Sequence, residues 1–97
     1  MRRVPNILII LTDDQRATGT MGVMDATKRI FGDGGVKFKW GIVTTPLCCP
    51  SRASIFSGLY AHNHGVKSNV TGQRMDPVET MQHELQDHGY TTAIVGR

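Results

Sequence analysis

The chain has 97 residues, of which 39% are hydrophobic, 20% charged and 6% aromatic. This balance is typical of a folded globular protein and excludes a collagen, a coiled coil or a disordered chain. The 11 Lys and Arg residues against 8 Asp and Glu residues give a net charge of +3. A charge this small and this scattered does not indicate a nucleic-acid-binding surface. The length allows at most one small domain.

Neither a membrane span nor an export signal is predicted. The longest apolar run, Ile7 to Leu11, is far shorter than the roughly 20 residues that cross a bilayer. Met1-Arg2-Arg3 resembles the charged start of a signal peptide, but no apolar stretch of about 7 to 15 residues follows it. The cellular compartment therefore stays open.

The first half of the chain predicts a strand, a helix and a second strand. Residues 6–11 form a short apolar run that suits a central strand buried on both faces of a parallel sheet. A helix is expected from Asp25 as its N-cap through Phe31, ending in the glycine-rich residues 32–35. Residues 36–40 alternate in polarity as a strand does, which assigns Phe38 and Trp40 to the core.

The second half predicts two helices and a third strand. Pro50 and Gly58 bracket a short helix from Ser51 to Ser57, with two cysteines just before it. A longer helix begins with the capping-box pattern Asp76-Pro77-Val78-Glu79, carries Met81 and Leu85 on one face, and ends at Gly89. Residues 90–95 then read as a buried strand. This order predicts an α/β fold with parallel strands.

Two carboxylates follow the first predicted strand, at the sheet edge where α/β proteins bind ligands. Asp13 and Asp14 are adjacent and repel each other unless a cation lies between them. Ca²⁺ and Mg²⁺ take oxygen ligands of this kind. The alternative is that the pair is a solvated strand end.

Cys48 and Cys49 are the only cysteines. Neighbouring residues rarely have the geometry for a mutual disulfide, and no C-x-x-C metal spacing is present. A cysteine at a helix start lies where unpaired N–H groups and the helix dipole favour an anion, and Arg52 adds a fixed charge one turn in. This indicates an oxyanion site. The alternative is a buried cysteine pair in a turn beside a solvated Arg52.

Cys48-x-Pro50-Ser51-Arg52, followed by Ser57-Gly58, resembles the sulfatase signature, in which the first cysteine is oxidised to formylglycine. Pro5-Asn6, the apolar run and Asp13-Asp14-Gln15 resemble the N-terminal metal-binding strand of that family. Gly89-Tyr90 through Gly96 resembles the strand leading to its Gly-Lys motif, with Arg97 in place of the lysine. The segments 47–55 and 62–64 are similar to the branch of N-acetylglucosamine-6-sulfatases and related glycosaminoglycan sulfatases.

The resemblance implies a fold, a reaction and a cofactor. The fold is the N-terminal part of an alkaline-phosphatase-like, mainly parallel sheet flanked by helices, and residues 1–97 form a partial catalytic domain whose remainder is absent. The reaction is hydrolysis of a sulfuric ester. Asp13, Asp14 and modified Cys48 bind Ca²⁺, or Mg²⁺ in its place. Cys48 is the formylglycine nucleophile, and Arg52 steadies that nucleophile and the sulfate.

The same resemblance implies a sulfated carbohydrate or other sulfate ester as substrate and a formylglycine-generating enzyme as maturation partner. Arg97 and His64 are candidate substrate contacts, although His62 and His64 also fit a polar loop. Cys49 occupies a variable position and is assigned to packing, and His83 and His88 to the surface or the helix end. Two alternatives remain open, a phosphonate or phosphate monoester hydrolase of the same superfamily and a non-catalytic truncated remnant. The 97-residue chain alone is expected to be inactive.

Overall fold

The computed structural model of the chain describes residues 4–72, 75 and 80–96. The elements in chain order are a 3-10 turn Met21–Val23, helix α1 at Asp25–Thr27 continuing as the π-helical turn Lys28–Gly32, and helices α2 Cys48–Ser57, α3 Ala61–His64 and α4 Met81–Asp87. The chain divides into two compact units, the first ending at Trp40 and the second beginning at Gly41. Across the described residues, none of these helices has the length and apolar character needed to cross a membrane.

The predicted sheet is not seen, because the described residues contain no strand. The strand predictions for 6–11, 36–40 and 90–95 are therefore wrong for this structure. A buried strand exists only when neighbours hydrogen-bond to its edges, and no such neighbour pairs with these segments in the described part of the chain. Leu8, Trp40 and Val95 are 75%, 90% and 99% exposed. Phe38 is 83% exposed as well, so its assignment and that of Trp40 to the core are also wrong.

The first unit carries the predicted helix, with a different start. Met24 is the N-cap, and Asp25 lies in the first helical turn, where its carboxylate forms a 2.7 Å ion pair with Lys28 Nζ. This pair spans i to i+3 and is largely exposed, so it contributes a few tenths of a kcal/mol at most. The continuation Lys28–Gly32 reaches the glycine where the sequence predicts the helix to end.

Helix α2 begins three residues earlier than the sequence predicts, at Cys48 rather than Ser51. Leu47 is the N-cap, with an extended backbone that lets its carbonyl accept the first helical hydrogen bond from Ser51 N–H at 3.0 Å. Pro50 is tolerated because it stands in the first turn, where its missing N–H breaks no helical hydrogen bond. Gly58 ends the helix as predicted, at a left-handed φ of 69° that glycine adopts without steric cost.

Helix α4 confirms the predicted C-terminal half of the last helix. Gly89 has φ 84°, its N–H donates to Gln86 O, and Tyr90 N–H donates to Leu85 O, both at 2.9 Å. This pair of hydrogen bonds is a Schellman ending. Met81 and Leu85 are both half-buried, as expected for one face. The predicted start of this helix, residues 76–79, lies outside the described residues.

The second unit packs around α2, which contacts both α3 and α4. Its described residues bury four side chains, two of them on α2 and two at or just after the end of α3: Pro50, Ala53, His64 and Val66. A polar imidazole is thus part of this small interior. Interior polar groups require hydrogen-bond partners, so partners are expected for both ring nitrogens of His64.

Candidate active site

Asp13 and Asp14 lie in the first unit with exposed side chains. Asp14 has φ 49°, a left-handed conformation that Asp tolerates better than most residues. The turn that follows is held by Gln15, whose Nε2 donates to Thr20 Oγ1 at 2.8 Å and approaches Met24 Sδ at 3.2 Å. The side chain of Gln15 therefore orders the residues directly after the carboxylate pair, a role that the sequence pattern does not reveal.

The chemistry of this pair suits a hard cation. Carboxylate oxygens are the donors that Ca²⁺ prefers, but Ca²⁺ takes roughly six to eight of them. The described residues bring together no group of three or more His, Cys, Asp or Glu side chains suited to a metal. Asp13 and Asp14 thus match calcium in kind and supply only part of its ligand shell.

The start of α2 carries the cysteine pair and the arginine of the sequence motif. Cys48, the first helical residue, is exposed, Cys49 is half-buried, and the two are not joined in a disulfide. Arg52, also half-buried, follows Cys48 by four residues. Residues i and i+4 of a helix share one face. The helix therefore places Cys48 and Arg52 on the same face.

The sequence predicts unpaired backbone N–H groups at this helix start, but two of these groups donate hydrogen bonds within the protein. Cys49 N–H donates to Asn69 Oδ1 at 3.0 Å, Pro50 has no N–H, and Ser51 N–H donates to Leu47 O. These three positions therefore have no amide to offer an oxyanion. Positions 49–51 therefore do not supply the predicted unpaired amides, and at these positions an anion is stabilised by side-chain charge and by the helix dipole.

Asn69 reaches the helix start because the loop that carries it is folded back by a threonine. Thr71 Oγ1 accepts hydrogen bonds from Lys67 N–H and Ser68 N–H and donates to Ser68 O, each at 3.0 Å. Ser, Asn, Thr and Gly in this stretch are typical turn residues. That composition predicts a turn, but nothing in it indicates that the turn caps a helix 20 residues earlier.

The two histidines of α3 have different surroundings. They lie in a short helix, so their assignment to a loop is wrong. His62 is exposed and stacks on Tyr60, with ring centroids 5.9 Å apart. His64 is 8% exposed, and its two ring nitrogens contact Ser54 Oγ at 2.9 Å and Val66 N at 3.1 Å.

The backbone contact determines the tautomer of His64. Val66 N–H can only donate, so Nδ1 of His64 carries the lone pair. The neutral ring then bears its hydrogen on Nε2 and donates it to Ser54 Oγ. Both polar positions of this buried ring are used inside the second unit.

Two further predicted residues can be placed, and a third lies outside the described residues. His83 and His88 are exposed on and just after α4, as predicted, and His88 Nδ1 lies 2.8 Å from Glu84 O. Arg97 lies outside the described residues. Among the remaining site residues, Cys48 and Arg52 share α2, whereas Asp13 and Asp14 belong to the other unit.

Comparison with known proteins identifies the class. The family model of the sulfatases matches residues 5–97, and the chain belongs to the sulfatase family. That membership implies an alkaline-phosphatase-like α/β fold, of which the described residues display the helices and not the sheet. By resemblance, it supports an assignment to the sulfatase-type hydrolases.

Individual relatives agree with this class. The chain is 40% identical over 103 residues to the extracellular sulfatase SULF-1 homolog of Drosophila melanogaster, covering 98% of this chain and 9% of that protein. It is 47% identical over 69 residues to human N-acetylglucosamine-6-sulfatase, covering 70% of this chain and 12% of that protein. The arylsulfatase of Chlamydomonas reinhardtii is 32% identical over 105 residues, which cover 96% of this chain and 16% of that protein. The chain thus spans less than a fifth of each of these relatives. No solved structure matches it.

Proposed function

We propose that this chain supplies the nucleophile and part of the metal site of an enzyme that releases sulfate from a sulfated sugar or a related ester. The observation that carries the proposal is the placement of Cys48 as the exposed first residue of α2, with Arg52 one turn later. The N-acetylglucosamine-6-sulfatase and the arylsulfatase among its relatives support the same reaction. Residues 1–97 are, in this proposal, the N-terminal part of the catalytic domain.

Cys48 is the proposed nucleophile in its oxidised form. As hydrated formylglycine it supplies a geminal diol. One hydroxyl attacks sulfur and breaks the ester S–O bond, so that the alcohol leaves and the enzyme is sulfated. Deprotonation of the second hydroxyl then expels sulfate and restores the aldehyde. A serine has no second hydroxyl for that release step. The exposure of the Cys48 side chain supports its access to a maturation enzyme, the protein partner we propose.

Arg52 holds the sulfate group. Its guanidinium keeps its charge at every relevant pH and donates two parallel hydrogen bonds to an oxyanion. Partial burial reduces the screening of that charge by salt. The N–H groups of residues 49 and 51 are already hydrogen-bonded, and Pro50 has none. Arg52 therefore contributes a larger share of the stabilisation of the sulfate charge at this end of α2.

Asp13 and Asp14 are the proposed calcium ligands, with Mg²⁺ as the substitute and the oxidised Cys48 as a further ligand. When bound, the cation supplies a positive charge that polarises sulfate and activates an oxygen nucleophile. Arg97, by its place in the Gly-Lys motif, is the proposed further contact to substrate. His64 is buried with both ring nitrogens engaged, and we assign it to the support of α2 instead.

A paired assay tests the proposal. The full-length protein that carries this chain, matured by a formylglycine-generating enzyme, is given p-nitrophenyl sulfate and p-nitrophenyl phosphate in parallel. We expect preferential hydrolysis of the sulfate ester, and background rates for Cys48→Ala. A preference for the phosphate ester would indicate a phosphate or phosphonate monoester hydrolase, since tetrahedral oxyanions are alike in shape. Hydrolysis of neither ester would support the non-catalytic remnant.

A further inference from the structure

The end of α3 and the loop after it contact, at two points, the helix that bears the proposed nucleophile. Asn69 accepts the hydrogen bond of Cys49 N–H, in the first turn of α2, and His64 bonds Ser54 in the middle of the same helix. We use the name capping loop for residues 65–72. His64 closes α3 immediately before this loop, so both contacts come from one continuous stretch of chain.

Helix α2 lacks a local cap at its start. Its N-cap residue is Leu47, which has no polar side chain, and Cys49 is the second helical residue, whose N–H an N-cap side chain ordinarily binds. Asn69 Oδ1 takes that position at 3.0 Å from a site 20 residues further along the chain. A helix end without such a partner frays in its first turn, and the first residue of that turn is Cys48.

The capping loop is built to hold Asn69 in place. Thr71 Oγ1 ties the backbone at Lys67, Ser68 and its own position into a tight turn. Val66, at the base of the loop, is fully buried, and its N–H is bound by His64 Nδ1. The loop also approaches the second cysteine, since a Cβ built on Gly72 would lie 3.6 Å from Cys49 Sγ.

We propose that Asn69 is a positioning residue for Cys48, an inference that rests on the proposed sulfatase function. By holding Cys49 N–H, Asn69 keeps the first turn of α2 helical and so keeps the Cys48 side chain on the face that carries Arg52. His64 holds the middle of the same helix through Ser54. Loss of the Asn69 acceptor displaces the nucleophile while leaving the sulfate-binding Arg52 on its later turn, so turnover suffers more than binding.

Three variants of the full-length protein separate this role from a general effect on folding. Asn69→Leu keeps the side-chain size and removes the acceptor, Asn69→Ala removes both, and Asn69→Asp keeps an acceptor at the same place. The matched control is Asn63→Leu, because Asn63 is exposed on α3 and no side-chain hydrogen bond is seen for it among the described residues. Two readouts are needed, steady-state hydrolysis of p-nitrophenyl sulfate and amide hydrogen exchange in peptides covering residues 47–52.

We expect Asn69→Leu and Asn69→Ala to lower kcat by about tenfold to a hundredfold, the scale on which a small misplacement of a reacting group acts. KM should stay within about twofold, since the substrate-binding charges remain. Amide exchange in residues 47–52 should accelerate in these two variants and stay slow in Asn69→Asp and Asn63→Leu. Asn69→Asp should recover most of kcat with a raised KM, because its carboxylate repels an anionic ester.

The outcomes distinguish this inference from the proposed function. Wild-type protein that hydrolyses no sulfate ester overturns the proposed function, whatever the variants do in hydrogen exchange. An active wild type together with an unchanged kcat in both Asn69→Leu and Asn69→Ala overturns the positioning role. The positioning role is also overturned if the Asn69 variants lower kcat no more than Asn63→Leu does. The same holds if they lower kcat without faster amide exchange in residues 47–52. Should Asn69→Leu fail to fold, the smaller Asn69→Ala gives the same decision.

Discussion

His64 Nε2 lies 2.9 Å from Ser54 Oγ and so joins the end of α3 to the middle of α2. The imidazole also accepts Val66 N–H at 3.1 Å, which orients the ring from its other side. A buried polar group of this kind stabilises the structure only while all its partners are present. Among the described residues of the second unit only four side chains are buried, and the His64–Ser54 hydrogen bond links two of its helices.

Replacing His64 should therefore destabilise the protein. His64→Ala leaves Val66 N–H without its acceptor inside the second unit and opens a small cavity, for an expected loss of about 1 to 3 kcal/mol in the free energy of unfolding. His62→Ala is the matched control on the same helix, with an expected effect within about 0.5 kcal/mol because His62 is exposed. Urea unfolding of both variants measures the difference, and equal losses would contradict the assigned role of His64.

Gly58 should resist substitution. Its φ of 69° ends α2 in a conformation that L side chains rarely adopt, so Gly58→Ala is expected to cost about 1 kcal/mol of stability. Gly41→Ala is the control, since Gly41 has no positive φ and no atom would meet its added Cβ within 4 Å. Thermal unfolding that leaves Gly58→Ala as stable as Gly41→Ala would be inconsistent with the observed helix ending.

The two adjacent cysteines should respond differently to alanine. Cys48→Ala removes the proposed nucleophile and should abolish sulfate release. Cys49→Ala should retain activity and lose about 1 kcal/mol of stability, because the half-buried Cys49 side chain packs beside Gly72. Assays of both variants for hydrolysis and for unfolding separate the roles. An equal loss of activity in the two would argue against Cys48 as the nucleophile.

The 97-residue chain alone should release no sulfate, even with Cys48 oxidised. With one oxygen each, Asp13, Asp14 and the nucleophile provide about half or less of the roughly six to eight oxygens that Ca²⁺ takes. Calorimetric titration of this chain with Ca²⁺ should accordingly show weak binding or none. Sulfate release above that of a Cys48→Ala control would show that these residues suffice for the reaction.

Local sequence signals predict the ends of α2 and α4, but they miss the short helix α3 and predict strands that the described residues do not form. Gly58 and Gly89 end α2 and α4 as expected, because a left-handed glycine depends only on its own backbone. The strand at 6–11 depends on neighbours to pair with, and the described residues contain no strand. The start of α2 was misplaced because Leu47 carries no capping signature, its cap being the distant Asn69.

In the candidate site, too, local features could be predicted from the sequence, whereas contacts between distant residues could not. Cys48 and Arg52 were recognised from a local motif, and helical spacing alone explains why they share a face. Two histidines two residues apart after a predicted helix end indicate a polar loop, and only packing against α2 reveals the buried ring of His64. Nothing in the sequence around Asn69 indicates its capping role, because the residue that it caps lies 20 positions earlier in the chain.

The assignment of Cys48 as the formylglycine nucleophile is tested most directly by mass spectrometry. The peptide that contains both cysteines is taken from active full-length protein. Oxidation to formylglycine removes one sulfur and two hydrogens from a cysteine and adds one oxygen. We expect this change at Cys48, with Cys49 still a thiol. Active protein in which Cys48 remains an unmodified cysteine would contradict the proposed nucleophile.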